Sequence, residues 1–198
     1  MALTLTANLD CYFDSILNTT NNDTSNPQNA GFILTGSGIF HGVIGFDATS
    51  IPERIRRATL SYYQIFITAT QRDFVASLVD PLVTVDETTA TWDISSTGVP
   101  WATPGGDVVG SPVQFTAPNS TNLYVDVDVT ALVKAWLANP SYVSTGQINF
   151  LLGANPESGS TRRIQYQPRL AANPAKLTIA TPTGSLVLTM TGGGLLVP

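Results

Sequence analysis

The 198-residue chain is only 12% charged, with a net charge of −5 and a pI near 4.6. That balance argues against nucleic-acid partners, whose recognition rests on basic patches. No apolar run reaches the length of a bilayer crossing, and a single cysteine rules out an intrachain disulfide.

The length suits one β-domain, and no linker-like stretch divides it. Lysine occurs only at positions 134 and 176. A surface so poor in charge is suited to burial against other protein, because threonine and alanine enter an interface more easily than lysine or glutamate. The N-terminal residues MALTLTANLD carry neither a basic region nor a continuous apolar one, so no secretory signal is expected.

Along the chain, Leu3, Leu5, Ala7, Leu9, Cys11 and Phe13 alternate with polar residues, which predicts one long strand with Cys11 facing the core. The polar stretch 18–30 predicts an exposed loop. Strands are predicted at Gly31–Thr35, Gly42–Asp47 and Ala58–Thr68. In the last of these, Ala58, Leu60 and Tyr62 share one face before Ile65 and Ile67 appear on the other. That change of phase predicts a bulge near Tyr63 or a strand covered on both faces. His41 reads as a polar strand-end residue, without the partners a base or metal ligand needs.

Further strands are predicted at Phe74–Leu78, Leu82–Val85, Val113–Thr116, Leu123–Val129, Ile148–Leu152 and Lys176–Ala180. Inside YVDVDVTALVKAW the period changes at Thr130. Leu132, Val133 and Trp136 then fall on one stripe of a short helix near 130–138, ended by Asn139 and Pro140. Asp128 or Thr130 is placed to accept its first free N–H groups. The expected fold is all-β, an antiparallel sandwich of jelly-roll type with one short helix.

The apolar residues Leu186, Leu188 and Met190, a triglycine, and then Leu195, Leu196 and Val197 form a tail that is hazardous if left uncovered. It reads either as an assembly strand on a neighbouring subunit or as a last strand of its own domain. The division expected is therefore a domain at 1–180 and an extension at 181–198.

Several stretches taken in order resemble the DNRLRE family of β-sandwich modules. They are Asp10-Cys11-Tyr12-Phe13, Gly45-Phe46-Asp47, Ile51-Pro52, Ala58-Thr59-Leu60, Glu87 with Thr91-Trp92-Asp93, Val127-Asp128-Val129-Thr130, and Pro174 with Lys176 and Leu177. The chain lacks the family's first tryptophan ahead of the Thr-Trp segment, having Val85 and Asp86 there instead. The resemblance implies a non-catalytic module of the kind found on exported bacterial proteins and among phage structural proteins. With no export signal, the expectation is a virion protein, with capsid or tail subunits, or further copies of itself, as partners. The alternative is an extracellular carbohydrate-binding module.

The carboxylates Asp126 and Asp128, and the set Asp86, Glu87 and Asp93, are candidates for paired acid chemistry. Helix-capping and turn roles account for them, and no triad, phosphate loop or metal-spaced cluster accompanies them. No catalytic residue, metal or other cofactor is assigned. For a glycan, the candidate stacking residues are Trp101, in its Pro-Trp-Ala-Thr-Pro loop, and Tyr63.

Overall fold

The computed structural model describes residues 2–22, 27–33, 38–68 and 72–182. The anticipated assembly residues Leu186, Leu188, Met190, Leu195, Leu196 and Val197 lie outside the described residues. The fold is all-β: eleven strands form one antiparallel sheet that curls on itself. In chain order they are β1 (Ala2–Thr6), β2 (Leu9–Asp14), β3 (Gln28–Ile33), β4 (Gly38–Asp47), β5 (Arg57–Ile67), β6 (Asp73–Val79), β9 (Val108–Thr116), β10 (Leu123–Asp128), β11 (Gln147–Ala154), β12 (Arg162–Tyr166) and β13 (Lys176–Ala180). Two short strands, β7 (Ile94–Ser96) and β8 (Val99–Pro100), pair separately.

The alternation read from sequence sets the register. Leu5, Leu177, Leu60 and Val127 fall in one cross-strand row, and Leu3 lies beside Ile179 and Ala58. These rows face the main core, where they meet Ile44, Phe46, Phe74, Phe150 and Trp136. Tyr62 and Tyr166 are buried there with ring centroids 5.6 Å apart. Burial pushes both phenols well above their ordinary range, so they stay neutral.

Helix α1 (Thr130–Leu137) buries Leu132, Val133 and Trp136, as its stripe requires. Asp128 Oδ1 accepts the Thr130 N–H at 3.0 Å, while the Thr130 hydroxyl accepts from Ala58 N–H at 2.9 Å. A second, one-turn helix, α2 (Pro140–Val143), follows at once. Asn139 caps it, and Pro140 occupies the first turn, where a missing N–H costs nothing.

Four local expectations are corrected. The first long strand divides at Ala7–Asn8 into β1 and β2, whose apolar residues enter two different cores. Residues 28–30 belong to β3, not to a loop. Asn29 is buried because its Oδ1 accepts from Arg163 Nε and Gln165 Nε2, each at 3.0 Å. Leu82–Val85 is not a strand, since Asp80 turns the chain there by accepting from the N–H groups of Leu82 and Val83. Arg162 and Arg163, which in sequence suggest solvated loop charges paired with nearby acids, lie in β12. The buried Arg162 guanidinium donates to the carbonyls of Asn155 and Ser158.

The anticipated irregularity in β5 is present. Tyr166 pairs with Gln64 and Gln165 with Phe66, leaving Ile65 as the extra residue. The bulge turns Phe66 toward solvent while Gln64 stays buried, with Nε2 donating to the carbonyls of Pro118 and Ser120.

Candidate functional site

Strands β4 and β11 are covered on both sides. Ile44, Ile148, Phe150 and Leu152 enter the main core, whereas Val43 and Leu151 face a second, smaller one. The segment 80–107 closes that second core with Val85, Ala90 and Trp101 laid over Cys11 and Phe13.

Trp101 is thus only 5% exposed. Its ring packs against Phe13 with centroids 5.4 Å apart, and its Nε1 donates to the Thr91 carbonyl at 2.9 Å. The expectation of a surface platform at Trp101 is corrected on this geometry, because the flanking loop folds inward. Cys11 is buried in the same cluster.

The carboxylates around this segment have structural work. Asp86 accepts from the Thr88 hydroxyl at 2.8 Å and the Thr88 N–H at 2.9 Å, and from the Thr89 hydroxyl. The Thr88 hydroxyl, chiefly, holds its carboxyl below the ordinary range. Asp93 accepts from Asn18. Glu87 takes Arg169 Nη2 at 3.0 Å, and the Arg169 backbone N–H donates to the buried Asp10 at 2.5 Å. Sequence reasoning passed over Arg169, since nothing local announces that residues 10, 87 and 169 converge.

His41 belongs to a three-way junction. Its Nδ1 faces the Gly105 carbonyl at 2.6 Å, its Nε2 faces Glu157 Oε1 at 2.5 Å, and its ring lies 5.0 Å from Trp92. Gly105 is indispensable, because φ is +91° and a Cβ there would stand 2.7 Å from the Trp92 ring. Among the described residues, no group of three or more His, Cys, Asp or Glu side chains is placed to hold a metal.

Among the described residues, two surfaces stand out as places where a partner could bind. The first is a cleft of about 480 Å³ beside the 80–87 segment, walled by Leu9, Leu82, Val83, Glu87, Gln147 and Asn149. The Asn149 and Gln147 amides of its wall pack so closely on Gly45 that a Cβ there would overlap both.

The second is the outer face of β10, β5, β13 and β1. Register places Thr4, Thr178, Thr59 and Asp128 in one row, with Thr6, Lys176, Ser61 and Asp126 in the next. Tyr63 lies on this face opposite Tyr124, the rings edge to face at 5.2 Å. Lys176 Nζ sits 4.7 Å above the Tyr124 ring, and Ser61 donates to Asp126 at 2.6 Å. The face is therefore polar and aromatic, with its side chains already engaged with one another. Trp101 and Tyr63, paired as glycan candidates, are not brought together; the neighbour of Tyr63 is Tyr124.

These features define an all-β protein with a cleft beside the 80–87 segment and a tyrosine-bearing sheet face. No protein-family model and no curated protein matches the chain.

Proposed function

We propose that the protein is a non-enzymatic structural subunit of a bacteriophage virion, a decoration or accessory protein on the head or tail. In this reading the sheet is a jelly-roll sandwich, and residues 183–198 anchor it to neighbouring capsid or tail subunits. The observation that carries the reading is the exit of the chain. Thr181 and Pro182 leave β13 beside two shallow grooves, one in which Ile55, Leu137 and Pro182 lie among Glu53, Arg54 and Lys134, and one lined by Ala2, Leu3 and Pro52. The apolar alternation of residues 186–190 then begins within a few residues.

The motif order shared with DNRLRE modules and the scarcity of surface lysine support the same setting. Particles assembled with a chain ending at Pro182 should lack the subunit, as judged by the protein content of purified virions. Undiminished incorporation overturns the anchoring role.

A second reading, a carbohydrate-binding module, is favoured by one feature, the edge-to-face Tyr63 and Tyr124 rings on a polar sheet face. Glycan-array signal that disappears in both Tyr63→Ala and Tyr124→Ala supports it, and a blank array removes it.

A further inference from the structure

Sheet edges invite pairing with other chains, and proteins commonly blunt them with charge, proline or bulges. Three edges of this sheet differ in that respect. Strand β9 carries Pro112 and a register shift opposite Ala76–Leu78. Strand β10 presents Asp126 and Asp128. Strand β1, reading Ala-Leu-Thr-Leu-Thr, has no charge, no proline and no bulge, and among the described residues it pairs only with β13. Its Leu3 and Leu5 pack against the main core yet remain half-exposed, so among the described residues the apolar row ends at the edge without cover.

We infer that β1 is a homodimer edge, at which two copies pair antiparallel about a two-fold axis through Thr4. The inference rests on the assembly reading above and names its first partner, a second copy of this chain. The argument is self-complementarity. Leu3-Thr4-Leu5 is a palindrome, so antiparallel pairing on Thr4 sets Thr4 against Thr4 and Leu3 against Leu5 of the other copy. No charge opposes its like across the axis.

The polar row Thr4, Thr178 and Thr59 then continues onto the same row of the second copy. The half-exposed leucines likewise extend the buried row through Leu177 and Ile179 onto the main core of the other copy. A register shifted by one residue places leucine against threonine and breaks both rows, while a two-fold axis through Leu3 or Leu5 keeps the rows but pairs three rather than all five residues of β1.

Residue 4 is exposed in the single chain, so it can be changed without touching the core. The test is native mass by sedimentation over roughly micromolar to millimolar protein, a range suited to a short interface. Wild-type chain should show a monomer–dimer equilibrium. Thr4→Lys and Thr4→Asp, each of which sets like charges face to face, should each be monomeric. An equimolar mixture of the two should restore dimer.

Thr4→Cys should form a disulfide-linked dimer on oxidation, because directly opposed residues in an antiparallel pair lie about 4.5–5.5 Å apart, within disulfide range. The native Cys11 is buried and does not compete. A wild-type chain that stays monomeric, or a Thr4→Lys chain that still dimerises, overturns the inference. A chain ending at Pro182 should keep the dimer even if it no longer joins particles, which separates failure of this edge from failure of the anchor. If that shortened chain dimerises and the full chain does not, the edge is occupied by residues 183–198 and the inference also falls.

Discussion

Trp101 shows how a single side chain changes role once its surroundings are assembled. With its indole N–H bonded to the Thr91 carbonyl and its ring against Phe13, it closes the second core. Trp101→Ala should cost about 3–5 kcal/mol, read from urea unfolding, as expected for loss of a buried aromatic. Its prolines suggested an exposed loop, and the inward fold was not legible because the covering surface comes from residues 11, 13 and 43, remote in sequence.

Gly42 makes a comparable point with no side chain at all. A Cβ there would stand 2.3 Å from the Tyr166 hydroxyl and 2.9 Å from the Asn29 carbonyl. Gly42→Ala should therefore destabilise by at least about 1–3 kcal/mol through overpacking, measured by the same denaturation.

At the scale of elements, the most legible segment was the one where strand passes into helix. Alternation through Val125 and Val127, then the stripe of Leu132, Val133 and Trp136, fixed both β10 and α1 in advance. Strand β12 was hidden because arginine interrupts its alternation. Only the fold reveals that Arg162 is paid for by loop carbonyls.

Asp128 joins β10 to α1 by accepting from the Thr130 hydroxyl and N–H, and those bonds hold its carboxyl below the ordinary value of 3.8. Since the folded form titrates lower than the unfolded one, its contribution is present above about pH 4. It is lost as pH falls through the folded value. The group is more than half exposed, so the effect is small. Asp128→Ala should lower stability by about 0.5–1 kcal/mol at neutral pH and by less below pH 3. Thermal unfolding at the two pH values measures the difference.

At the largest scale, the described residues form one curled antiparallel sheet with β1 and β9 at the ends of its main path. The all-β class was legible because turn residues separate short alternating runs. The order of strands was not, since pairings such as β5 with β10, β12 and β13 depend on contacts far apart in the chain. Leu177 lies where the leucines of β1, β13 and β5 form one row. Leu177→Ala should cost about 2–5 kcal/mol. It should also speed proteolysis at the β1–β13 end before global unfolding, detectable by mass spectrometry of limited digests.

The pairing of Ala2 with Ala180 has a bearing on biogenesis. Strand β1 meets this neighbour only after β2 to β12 have emerged from the ribosome. Until then its leucines lack their partner row, and rapid synthesis or a chaperone would keep that greasy segment from meeting others of its kind.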